Sequence, residues 1–328
     1  MLEFFRKNLF INSLLLLPFC LLIRIKGVIK PIPYNFVSER ESSIFNNLME
    51  LVSSNWVQGL LASLIVYMQA LIINRLCIKH RVAKEMTLIP GLVYITISAV
   101  IPDLLSLSPM LIGSTFIIIA VHLLFNTYNS VAAASDIFSA GFLIGLAGVF
   151  YFPYYYFFIV SFIALIILKS FTFKERIQHS VAWVIPTLLL WVWEFFNNEP
   201  LRVIPDFFWE NFGVNQVLFI QDIKSLIISV LIGILVLIFL VNFSNYTKQK
   251  VTSTQKKISI LYWVMAYSGL VLLMIEHLQY SHIFSFLFPA AIFTTLSLLN
   301  FKNKIVAEII FLVLLIVVVI VQFDLIQL

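Results

Sequence analysis

Apolar residues run in long stretches along this chain, and polar residues gather in short segments between them. A helix needs roughly 20 mostly apolar residues to cross about 30 Å of hydrocarbon. Eleven runs are read as such spans: 8–29, 56–78, 87–102, 109–125, 137–152, 154–168, 178–196, 224–243, 258–276, 283–299 and 305–323. Pro18 lies inside the first as a kink that a lipid-embedded helix tolerates, and Pro153 divides the fifth from the sixth. The first run follows Arg6 and Lys7, as a signal peptide would. It ends in Arg24-Ile25-Lys26 without a small-residue cleavage site, so a retained helix is expected. The pattern predicts an all-α, polytopic transmembrane helix bundle, a single integral membrane domain over residues 1–328.

The polar segments give that bundle a direction. With the N-terminus cytoplasmic, the segments on that side hold 15 Lys and Arg against 5 acids, and the opposite side holds 6 against 11. Lys and Arg are retained on the cytoplasmic side, so the expected arrangement is N-terminus in and C-terminus out. The segment Asn126–Ser135 has no basic residue and is placed only by its neighbours. Reading Ile137–Leu168 as one bent helix would missort every later charge, so two helices are expected there.

Composition excludes the soluble alternatives. The chain is 61% hydrophobic and 11% charged with a mean hydropathy of +1.02, whereas a soluble domain is about 25% charged. A cytosolic enzyme, a nucleic-acid-binding module and a secreted disulfide scaffold are ruled out. The net charge of +5 is an asymmetry of orientation, so the expected partner is the lipid bilayer, with no nucleic acid. The expected location is the bacterial inner membrane. No Gly-x-x-x-x-Gly-Lys-Ser/Thr is present, which excludes ATP-driven work housed in this chain.

Candidate chemistry is sparse. Cys20 and Cys77 are read at depths differing by roughly 18 Å, too far for a disulfide. Of the histidines, His80 and His179 are placed at the inner face, His122 mid-membrane, and His277 and His282 at the outer face, so no His cluster for a metal is expected. Glu276, His277 and His282 are read as polar residues wetting a turn in preference to a metal site. No cofactor is expected. Gln69, His122 and Asn12 are costly within a bilayer, and interhelical hydrogen bonding is their expected use. Gly141, Gly145 and Gly148 share one helical face, which suits close internal packing or a partner surface.

The acid-rich outer segments are where chemistry is sought. Ser38-Glu39-Arg40-Glu41 reads as a capping box opening a helix with Ile44, Phe45, Leu48, Met49, Leu51 and Val52 on one face, lying in the outer interface. The cations Arg24, Lys26 and Lys30 precede it, and snorkelling to head groups accounts for them. In Glu194–Asp222, acids mix with aromatics, including Asp206, Trp209 and Glu210. That mixture suits an interfacial aromatic belt or a sugar-binding surface.

Two resemblances follow from these residues. The run Asp136-Ile-Phe-Ser-Ala-Gly-Phe-Leu-Ile-Gly-Leu-Ala-Gly-Val-Phe-Tyr-Phe-Pro153, with Phe4-Phe5-Arg6-Lys7-Asn8, resembles an uncharacterised polytopic membrane protein family of flavobacteria and relatives. More distantly, the layout is similar to GT-C membrane glycosyltransferases, which transfer sugars from polyprenyl-phosphate donors using an acid in the first exterior loop. That similarity implies Glu39 or Glu41 as base, with Arg24 and Lys26 on a lipid-linked phosphate. The chain departs from the usual pattern in having Glu-x-Glu where an Asp-containing pair is found. The expected functions are thus a transferase-like protein acting on a lipid-linked substrate, a non-catalytic subunit beside another membrane protein in a cell-envelope assembly, and third a transporter. The last is weakened by the lack of mid-membrane carboxylates.

Overall fold

A computed structural model describes residues 1–30, 43–52, 54–130, 133–169, 172–197, 239–248, 250–273 and 280–322, and all regular structure among them is helical. The first apolar run is not one helix. After a short α1 (Leu2–Phe5) it forms α2 (Phe10–Ile23), with Pro18 inside, and α3 (Ile25–Ile29). The two are separated at Arg24, whose φ of −105° and ψ of 15° leave the helical region. Then come α4 (Ser43–Leu51), α5 (Asn55–Lys79) and α6 (Ile89–Ile97). A 3₁₀ turn at Pro102–Leu105 leads to α7 (Pro109–Asn126) and α8 (Ala134–Phe150). Another at Phe152–Tyr156 leads to α9 (Phe157–Leu168) and α10 (Phe173–Phe196). Among the described residues the remaining helices are α11 (Phe243–Thr247), α12 (Thr252–Leu273), α13 (Phe284–Asn300) and α14 (Lys304–Gln322).

Among the described residues, five helices are long and apolar enough to cross a membrane: α5, α7, α10, α14, and α13 with its preceding 3₁₀ turn. They differ in place. In the α13 segment 83% of the 18-residue apolar window is buried within the protein, so it runs inside, whereas the corresponding shares are 22% in α14 and 28% in α10, so both lie at the rim. A helix apolar on all sides can be an interior helix or a lipid-facing one; burial separates the two.

The run 87–102 resolves differently from a continuous helix. Only the nine residues of α6 are helical, all buried, giving a length of about 14 Å. From Ser98 the backbone continues as turns and the 3₁₀ segment, still largely buried. Irregular backbone in an apolar interior is tolerated only where its polar groups are met by protein. Between Ala134 and Leu168 there are two helices: Tyr151 is extended (φ −143°, ψ 107°) and ends α8 before Pro153.

The glycine face of α8 is an internal seam. A Cβ added at Gly141 would lie 2.6 Å from the His179 carbonyl oxygen, and one at Gly145 would lie 2.2 Å from that of Trp183. Both partners rise by four residues together, so α8 and α10 run parallel with their backbones in close approach. A second crossing sets Gly59 of α5 against the Gly27 carbonyl of α3, where an added Cβ would sit 2.0 Å away.

Segments expected on one side of the membrane meet one another. Arg6 forms a bidentate pair with Glu85, the N-terminal amine pairs with Glu308, and Lys304 lies 3.4 Å from Glu3. Lys250 donates to the Val82 carbonyl at 2.9 Å. The turn after α7, which has no cation of its own, receives Lys169 on the Ser130 carbonyl at 3.3 Å and Lys256 over the Tyr128 ring at 5.5 Å.

Candidate functional site

Arg24 is the focus of the outer-phosphate expectation, and the structure gives its side chain other work. Breaking the helix at this residue turns the guanidinium inward, where it is fully buried. Nη1 donates to the Ser98 carbonyl at 3.0 Å and lies 3.3 Å from the Ser98 hydroxyl, and Nη2 donates to the Leu104 carbonyl at 2.7 Å. Those carbonyls belong to the irregular stretch after α6, whose terminal groups lack intrahelical partners. Nε has no partner among the described residues. The expectation that Arg24 snorkels to head groups is therefore corrected. Satisfying two buried carbonyls outweighs reaching water, because an unmet buried acceptor costs about 1–3 kcal/mol.

Gln322, at the end of α14, completes this junction. Its Nε2 donates to the Ile23 carbonyl at 2.9 Å and to that of Ala99 at 2.7 Å, and its own carbonyl accepts from Lys26. The ends of α2, α6 and α14 are thus tied together by two side chains. Lys30 is exposed at the end of α3. Glu39, Glu41, Asp206, Trp209 and Glu210 lie outside the described residues, as do Glu276, His277 and most of the run 224–243. Helix α4 forms downstream as expected. Its apolar face is divided, with Phe45 buried and Met49 half-buried against the core, while Leu48 and Leu51 are exposed.

The intramembrane polar groups separate by role. Gln69 is the hub expected of it: Nε2 lies 2.9 Å from the Leu111 carbonyl, 3.0 Å from Ser114 Oγ and 2.7 Å from Thr115 Oγ1, and Oε1 accepts from the Tyr94 hydroxyl. This joins α5, α6 and α7. Asn12 instead acts locally, donating to the Phe4 carbonyl at 2.7 Å and the Lys7 carbonyl at 3.0 Å.

The histidines are less dispersed than their sequence positions suggest. His122 packs edge-on against His80 with ring centroids 5.1 Å apart, and Lys257 Nζ lies 3.1 Å from His80 Nδ1. His122 lies one turn from the end of α7, level with the end of α5 and not midway along the helix. Burial lowers the His80 pKa to about 3, helped by the nearby Lys257, His122 and Lys79. Elsewhere, His179 bridges the Ile137 carbonyl at 3.1 Å and Ser161 Oγ at 2.7 Å, and His282 contacts the Tyr151 hydroxyl. Cys20 and Cys77 are buried free thiols. Among the described residues no three His, Cys, Asp or Glu side chains gather as metal ligands.

The residues that organise these contacts carry few sequence signals. Ser98, Leu104 and Gln322 have none, whereas Thr172-x-x-Glu175 is a legible capping box. It forms at the start of α10, with Glu175 Oε2 accepting from the Thr172 N–H at 3.1 Å. Together, fold and polar contacts define a helical protein with several membrane-crossing-length helices and a buried polar junction. Comparison of the chain with protein-family models, curated proteins and solved structures finds no match.

Proposed function

We infer that this protein is a multi-pass inner-membrane bundle of eleven spans, N-terminus in and C-terminus out, serving as a non-catalytic integral subunit of a cell-envelope assembly. The carrying observation is the commitment of Arg24 and Lys26 to backbone carbonyls at a junction of three helix ends. A transferase would need those cations on a donor phosphate, where they stabilise the leaving group. The mutual pairing of segments rich in Lys and Arg supports the proposed orientation. Where α6 and α9 are too short to cross alone, the spans are completed by adjoining 3₁₀ or irregular segments held inside the bundle.

A second reading draws on α4, whose formation after the first span agrees with the layout of GT-C-like transferases. In that reading Glu39 or Glu41 is the base at the outer face. The two separate in one experiment: extraction in mild detergent alongside functional complementation by a Glu39→Gln/Glu41→Gln variant. The subunit reading expects a stoichiometric complex with another membrane protein and full complementation. A lone monomer, with complementation abolished in the variant, overturns it in favour of the transferase.

A further inference from the structure

A groove of about 320 Å³ lies on the seam between the start of α2 and the last turns of α5, away from the Arg24 junction. Its lining divides by chemistry. Arg75 and Lys79 supply two cations, Asn8, Ser13 and Asn74 supply polar groups, and Leu71, Ile78 and Leu88 supply apolar wall. No acid is among these residues.

Arg75 and Lys79 are four apart on α5 and so project from the same face. Both are exposed, and neither has an ion pair or hydrogen bond among the described residues. Neighbouring cations at the same end, Arg6 and Lys304, pair with Glu85 and Glu3. Asn74, 2% exposed in the groove wall, accepts the Gly91 N–H at 2.7 Å through Oδ1, while its amide nitrogen has no partner.

The same face of α5 changes character along its length. Met68 and Leu71 precede Arg75 and Lys79 at helical spacing, and Met68 is exposed. Across the seam, Phe10 and Leu14 of α2 are also exposed and apolar. A ligand filling the groove would meet two positive charges at one end and an apolar flank running away from them. That is the polarity of a membrane lipid. Basic pockets between helices at the cytoplasmic face are suited to anionic head groups.

We propose that this groove binds the phosphodiester head group of an anionic glycerophospholipid, with Arg75 and Lys79 on the phosphate oxygens and the acyl chains along the exposed flanks of α2 and α5. The proposal rests on the chain being a membrane protein. The lipid is the source because a soluble phosphate compound would leave the apolar flank unused.

The test uses the full chain purified in detergent, with lipid retention followed by native mass spectrometry during titration with phosphatidylglycerol or phosphatidylcholine. Flotation of the reconstituted chain with liposomes is measured separately, so failure of the membrane reading shows there. The wild type should bind phosphatidylglycerol in preference to phosphatidylcholine. Arg75→Gln/Lys79→Gln should weaken that binding roughly 30-fold, from about 1 kcal/mol per basic residue. Arg75→Lys/Lys79→Arg should keep most of it, and Lys7→Gln/Lys302→Gln, altered at other exposed cations, should bind as the wild type does. A chain that floats but binds both lipids equally overturns the proposal, as does equal weakening in the Lys7/Lys302 variant. Displacement of the lipid by sub-millimolar glycerol phosphate would assign the site to a soluble ligand and overturn the lipid source.

Discussion

At the residue scale, a few polar side chains hold together backbone that has left regular helix. Arg24 meets the carbonyls of Ser98 and Leu104, so Arg24→Ala should lose about 3 kcal/mol or more of stability, read as an earlier unfolding midpoint in detergent. An unchanged midpoint would show that those carbonyls have other donors. The glycines offer a sharper contrast. An added Cβ at Gly145 meets the Trp183 carbonyl at 2.2 Å, while at Gly269 nothing among the described residues lies within 4 Å. Gly145→Ala should therefore cost about 1–3 kcal/mol by forcing α8 from α10. Gly269→Ala should gain roughly 0.5–1 kcal/mol from helix propensity. Thermal unfolding of the two variants checks both signs. The glycine seam and the Gln69 hub were legible from spacing and from the cost of a polar group in lipid. Arg24 was not, because a cation ending an apolar run reads the same whether it snorkels outward or folds back onto carbonyls.

At the element scale, apolar runs overstate helix length when a segment is buried on every side. Helix α6 stops after nine residues although apolar residues continue, because Arg24 and Gln322 satisfy the backbone that follows. No local pattern announces that, since both donors come from distant parts of the chain. The separation of α8 from α9 was legible from Pro153 and from charge sorting. A mid-span position was expected for His122, but it lies one turn from the end of α7, against His80. The burial of His80 sets an acid response where α5, α7 and α12 meet. Burial pushes the His80 imidazole down to about 3 in the folded chain from about 6.5 when unfolded, so between those values the unfolded state binds the extra proton. Its contribution to stability is complete above about 6.5 and is lost as the pH falls toward 3. Unfolding midpoints should thus drop on acidification through that window, and His80→Gln should flatten the decline. An equal decline in His80→Gln would place the sensitivity elsewhere.

At the scale of the whole molecule, a buried α13 and a wholly interior α6 are enclosed by helices whose outer faces are apolar. Exposed large hydrophobics follow one another along α10 and α14, including Val181, Leu188, Val192, Ile309, Val313 and Ile316, as expected of surfaces in contact with lipid chains. The all-helical class was readable from the length of the apolar runs, and this polarity from composition, because 11% charge leaves too little polar surface for water. Which apolar runs lie inside and which at the rim was not readable, since lipid and protein interior select the same side chains. The proposed topology is tested most directly by sided labelling of single cysteines. With buried Cys20 and Cys77 replaced by alanine, Lys7→Cys, Lys30→Cys and Lys302→Cys are exposed in turn to a membrane-impermeant maleimide. Eleven spans with the N-terminus inside predict labelling of Lys30→Cys in intact spheroplasts, and of Lys7→Cys and Lys302→Cys only after permeabilisation. Labelling of Lys302→Cys in intact spheroplasts, or protection of Lys30→Cys, would contradict the account.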